Sequence, residues 1–156
     1  MPITYAAAVA GQAARPIIKA TDPAYGGRTF RFRASINLAA VATATFGNTQ
    51  AGVPTTDWVL LGIIPAGYVF DYGIITASAT MGTAVLAIGT STTHASNGQF
   101  RAAGTFTAVD TPTLFGLASA QAAAAFAADT PVYLTVATAA LPNAGTLVVD
   151  IYVSKP

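Results

Sequence analysis

A single histidine, His94, lies in the polar stretch Ser91-Thr92-Thr93-His94-Ala95-Ser96-Asn97-Gly98-Gln99. An imidazole with serines on either side raises two chemistries: hydrolysis with His94 as base, or coordination of a metal. Hydrolysis needs a third group holding the base against a positioned nucleophile, and the local spacing supplies none. Coordination needs several His, Cys or carboxylate ligands. The chain has no cysteine, no glutamate and six scattered aspartates. The stretch is therefore expected to be a loop with Thr92, His94 and Asn97 as its exposed candidates, and no metal or other cofactor is expected.

Other constellations are equally thin. Asp57 and Asp71 flank the Pro65-Ala66-Gly67 break and could in principle form the carboxylate pair of a glycosidase, but a carboxylate at a strand end next to a turn is the simpler reading. No Gly-Lys-Ser/Thr sequence exists to cradle a phosphate. Trp58, Tyr68, Phe70 and Tyr72 could line a sugar platform; their parity and apolar neighbours favour a place in the core. Arg31 and Arg33 beside Phe30 and Phe32 form a basic-aromatic stripe too small to carry single-stranded nucleic acid. No catalytic residue is expected.

The elements that would position these residues read as strands. Phe30, Phe32, Ala34, Ile36 and Leu38 alternate with Arg31, Arg33, Ser35 and Asn37, a period-two strand with one wet face. The run from Asp57 to Ile64 is apolar on both parities, as in a strand covered on two faces. After the Pro-Ala-Gly turn, Tyr68, Phe70, Tyr72 and Ile74 share one parity and predict a long strand with an aromatic face. Thr83 to Thr90 predicts the next strand, and Phe100 to Leu117 predicts two short strands around Asp110-Thr111-Pro112. Ala118 to Asp129 has the strongest helix propensity, about three turns if helical, and is expected to bridge two strands along the side of the fold. Pro131 to Thr138 and Thr146 to Pro156 close the chain, with Leu147, Val149, Ile151 and Val153 on one face. About eight antiparallel strands with close turn signals predict an all-β, antiparallel β-sandwich, jelly-roll-like, with one short helix.

Two regions stand apart. Residues 1–27 mix alanine with Pro2, Pro16 and Pro23 and lack periodicity, which predicts an extended N-terminal arm before a sandwich domain over residues 28–156. Residues 39–56, rich in Ala and Thr, read as a loop with room for a short strand. Neither a positive n-region nor a roughly 20-residue apolar run is present, so no signal peptide and no membrane partner are expected.

The chain of 156 residues is 53% apolar and 8% charged, against roughly 25% charged in soluble domains. So little charge on so apolar a chain predicts that much of the surface faces other protein. The net charge of +1 is unevenly divided. Arg15, Lys19, Arg28, Arg31 and Arg33 stand against Asp22 alone in the first 33 residues, a pattern suited to docking on an acidic protein surface or to a solvated basic face. No nucleic-acid partner is expected.

The segments from Leu60 to Ser91 and from Ala127 to Val153 carry a family resemblance. Leu61-Gly62-Ile63-Ile64-Pro65-Ala66-Gly67, the strand end Leu86-Ala87-Ile88-Gly89-Thr90 and the late Val132-Tyr133-Leu134-Thr135-Val136 occur in an order that resembles the jelly-roll decoration (cement or head-fibre) proteins of tailed-bacteriophage capsids, over roughly residues 57–153. The resemblance implies a non-enzymatic homotrimer on the outer capsid surface of the virion, made in the host cytoplasm and bound to the major capsid protein. Arg15, Lys19, Arg28, Arg31 and Arg33 are then the candidates for capsid or subunit contact. The alternatives are a head fibre that binds a host-surface glycan through residues 91–99, or a tail or baseplate component. A depolymerase-like enzyme lacks its acid pair.

Overall fold

Strict alternation shapes the last strand of the chain: Leu147, Val149, Ile151 and Val153 all point inward and are wholly buried. The computed structural model describes residues 29–38 and 58–156; the arm expected over 1–27 and the loop expected over 39–56 lie outside these described residues. The strands are β1 (Thr29–Asn37), β2 (Trp58–Ile64), β3 (Val69–Ala77), β4 (Val85–Gly89), β5 (Arg101–Thr105), β6 (Thr113–Phe115), β7 (Thr130–Ala137) and β8 (Thr146–Ser154). They form two four-stranded sheets, β1-β8-β3-β6 and β2-β7-β4-β5. Every pairing is antiparallel. Among the described strands only β4 and β5 are both sequential and paired; every other connection crosses between sheets, and the result is the expected all-β antiparallel sandwich of two sheets.

The core lies between the sheets. Ile75 and Ile151 from one sheet meet Leu86, Ile88 and Leu134 from the other, all fully buried. At one end the filling is aromatic: Phe70 stacks on Phe100 with ring centres 4.3 Å apart, and Phe126 meets Phe100 edge-on at 6.3 Å. Two glycines make room for aromatic rings. A Cβ on Gly62 would lie 2.5 Å from the ring of Phe32, and one on Gly73 would fall into the ring of Phe115, its cross-strand partner.

The expected aromatic face of β3 does not form. Phe70 is paired with Val153 and Tyr72 with Tyr152, so Asp71 is an extra residue in a β-bulge. The bulge shifts parity by one. Phe70 points inward, but beyond Asp71 it is Gly73, Ile75 and Ala77 that face the core, and Tyr72 and Ile74 are only half-buried. The bulge is held by named bonds: Ser154 Oγ donates to Asp71 Oδ1 at 2.7 Å, and Gln121 Nε2 donates to the Asp71 carbonyl at 2.6 Å. Of the four aromatics assigned to the core, only Phe70 is buried there. Trp58 packs edge-on against Tyr133 at 5.2 Å, Tyr68 against Phe30 at 5.0 Å, and Tyr72 stacks on Tyr152 at 4.4 Å.

The three-turn helix also shrinks, to the single turn α1 (Ala118–Gln121). Only Ala120 of this turn is buried. A helix whose inner face is alanine gains too little burial to offset its nucleation cost. The chain instead turns so that Phe126 reaches the aromatic end, its N–H donating to the Tyr68 carbonyl (2.9 Å) and its carbonyl accepting from Gly67 N–H (2.7 Å). Asp129 Oδ1 accepts from Ala66 N–H at 3.0 Å, so this connection and the β2–β3 turn are stitched together.

The Gly73–Phe115 socket sets a test. Gly73→Ala should destabilise the protein by about 1–3 kcal/mol through overpacking. That is a melting-temperature drop of roughly 2–4 °C per kcal/mol for a chain of this size. In a Phe115→Ala background the same substitution should cost much less, and the double-mutant cycle in urea denaturation reads that coupling.

Candidate interaction surfaces

The polar loop after β4 is fastened to the outer face of the second sheet. Inward positions Val132, Leu134 and Val136 of β7 leave Thr135 pointing outward, yet Thr135 is fully buried. The loop covers it. His94, in the 3-10 turn His94–Ser96, places Nδ1 3.1 Å from Thr135 Oγ1. Asn97 Nδ2 donates to Thr135 Oγ1 (3.0 Å) and to the carbonyls of Ala87 and Tyr133 (both 3.2 Å), while its Oδ1 accepts from Ser91 N–H (3.2 Å). Gln99 bridges Thr90 N–H and the Ser96 carbonyl.

Of the loop candidates, Thr92 is exposed, whereas His94 and Asn97 are half-buried against the sheet. Ser91 Oγ and Ser96 Oγ bond to each other at 2.8 Å, and the bonded ring nitrogen of His94 goes to Thr135. Base and nucleophile are not joined. Asp57, the other half of the supposed acid pair, lies outside the described residues, and Asp71 is bonded to Ser154. Among the described residues no group of His, Asp or Glu side chains is gathered to hold a metal.

Arg31 and Arg33 project from β1 on the outer face of the first sheet; Arg15, Lys19 and Arg28 lie outside the described residues. Both arginines turn to Asp150 on β8. Arg33 makes a bidentate pair with it, Nε to Oδ1 at 2.7 Å and Nη2 to Oδ2 at 2.8 Å, and Arg31 Nε stands 3.8 Å from Oδ1. The hydrogen bonds and charge of Asp150 hold the Arg33 guanidinium above its ordinary pKa. Asp150 itself is only 6% exposed although it points outward. Sequence periodicity marks such a position as wet and misses the ion pair, because it reads one strand at a time.

A second surface was not legible in the sequence. Among the described residues the large exposed apolar side chains are Val109, Leu114 and Leu117, which surround the short edge strand β6, with Leu114 68% exposed. Residues 102–128 contain one charge, Asp110. Three apolar residues within nine positions of turns and a short strand leave no periodic signal, and their exposure is seen only in the fold.

No protein-family model matches the chain, and no curated protein matches its sequence. Solved structures do match. A chain in the cyanophage Pam1 capsid asymmetric unit has a TM-score of 0.61 at 16% identity, over 100% of both chains. A chain in the capsid of Ralstonia phage GP4 has a TM-score of 0.57 at 16% identity, over 82% of this chain and 84% of that one. A chain in the acid-stable capsid of Helicobacter pylori bacteriophage KHP30 has a TM-score of 0.51 at 14% identity, over 81% and 86%. The fold is one that bacteriophage capsids contain. At these identities the likeness is one of fold alone.

The fastening of the loop depends on Gly89, where an added Cβ would overlap the side chains of Asn97 and Gln99. Gly89→Ala is expected to unlatch residues 91–99, raising the rate of limited proteolysis within the loop about tenfold while strands β1, β3 and β8 stay protected. Peptide mapping of the first cleavage site checks this.

Proposed function

We propose that this chain is a structural virion protein that decorates the outer surface of a phage capsid as a homotrimer and stabilises the shell. The observation that carries this reading is the likeness in fold to chains of three phage capsids, in one case along the full length of both chains. The scarcity of charge and the exposure of Leu114 in a segment with one charge support it, since surfaces of that kind favour protein contact. Glycan binding by residues 91–99 has less support, because His94 and Asn97 are engaged with Thr135.

The physical action is a clamp. A protein that binds the assembled shell and not its dissociated subunits shifts the equilibrium toward the shell, by about 2.7 kcal/mol per site at a free concentration 100 times the dissociation constant. Three copies joined in one trimer make the contact multivalent, so modest individual affinities give slow release. Arg15, Lys19, Arg28, Arg31 and Arg33 are the proposed capsid contacts, with the surface around Leu114 left for contact between copies.

Undecorated shells mixed with the purified protein should carry it through sedimentation and should melt at a higher temperature than bare shells. Absence of co-sedimentation would sink the reading. Replacing Arg15 and Lys19 with Ala is expected to lower occupancy at physiological salt, and light scattering should find a trimer of the 15.7 kDa chain.

A further inference from the structure

The four sheet edges differ in whether another strand can join them. β2 carries an extra residue between Leu60 and Gly62. β5 is bulged where Leu86 faces Gly104 but Ile88 faces Arg101, and the Arg101 guanidinium folds back along the strand to donate to the carbonyls of Gly104 (3.2 Å) and Thr105 (3.1 Å). β6 has three residues. Bulges, short length and covering groups are the devices by which proteins close an edge.

Among the described residues β1 has none of them. Its nine residues contain neither proline nor glycine, and they pair with β8 in unbroken register from Thr29↔Ser154 to Asn37↔Thr146. Among the described residues no strand lies on its other side. From Thr29 to Ile36, alternate residues of this edge direct N–H and C=O away from their one described neighbour, β8. Arg31 and Arg33 do not screen them, because both reach across to Asp150 on β8.

We propose that the outer edge of β1 is a docking site for one extended strand of a partner protein, about nine residues long, in which apolar side chains alternate with acidic ones. The side-chain pattern of β1 sets that chemistry. Phe30, Phe32 and Ala34 are half-buried on the core side, and an apolar residue beside each would complete their cover. On the opposite side two guanidinium groups share the single carboxylate of Asp150, leaving one positive charge without a counter-charge among the described residues. An acidic residue beside Arg31 supplies it. The same charge argues against the chain's own first 28 residues, which are themselves basic.

The inference stands apart from the virion reading, since its test needs no capsid. The probe is a capped nine-residue peptide alternating valine with aspartate or glutamate, added to the full chain; the readout is amide hydrogen exchange over residues 29–37. The acidic peptide is expected to slow exchange there about tenfold and to leave residues 101–105 unchanged. A peptide with lysine at the acidic positions should do neither, and Arg31→Gln should weaken acidic-peptide binding about threefold. No slowing at millimolar peptide overturns the proposal, as does equal slowing by the lysine peptide. Complete protection of residues 29–37 before any peptide is added also overturns it: if independent of protein concentration, the chain itself fills the edge, and if dependent on it, a second copy does.

Discussion

β8 lies between β1 and β3 and buries Leu147, Val149, Ile151 and Val153 completely. Full burial of such side chains is worth about 1.5–3 kcal/mol each, so this one row contributes on the scale of a whole domain's net stability. The strand also organises the outer face. Asp150 receives both arginines of β1, Tyr152 stacks on Tyr72, and Ser154 holds the bulge at Asp71. Inner face, outer ion pair and bulge therefore share one backbone, and the first sheet has no arrangement in which they are independent. The glycines at 62 and 73 belong to the same constraint, since the rings of Phe32 and Phe115 occupy the space where their side chains would be.

Where alternation is regular and local, the sequence is sufficient. β1 and β8 are read directly from their period-two patterns, and the eight-strand sandwich follows from turn signals. The failures have physical causes. The aromatic parity of Tyr68, Phe70, Tyr72 and Ile74 breaks at Asp71, because a bulge is stabilised by Ser154, a residue 83 positions away. The helix propensity of Ala118 to Asp129 is real, but Phe126, the one large apolar side chain in the segment, is used in the aromatic end of the core. Thr135 reads as a polar outward position and is buried by a loop that no strand pattern mentions. The pairing of Arg33 with Asp150 and the exposure of Val109, Leu114 and Leu117 both require the fold before they can be seen.

The described surface divides its labour. The loop over the second sheet uses polar side chains to satisfy polar groups, and no buried side-chain nitrogen or oxygen among the described residues lacks a partner. Arg101 is an extreme case: burial lowers its guanidinium below the ordinary pKa, and it donates to the backbone carbonyls of Leu86, Gly104 and Thr105. Such groups are committed to the fold. The exposed apolar residues at β6 and the edge of β1, beside which no described strand lies, are at opposite sides of the same sheet.

The pairing of β1 with β8 also has a consequence in time. Arg33 and its partner Asp150 are separated by 117 residues, and the whole β1 ladder spans comparable distances. A ribosome releases β1 long before β8 exists, so the first sheet cannot close while the intervening strands are being made. Contacts of such long range make folding slow, on the order of milliseconds to seconds once the strands are present. Until then Phe30, Phe32 and Ile36 have no neighbour across the ladder, and the nascent chain presents them to whatever else is in solution. The strand that completes the core is also the one that ends this exposure.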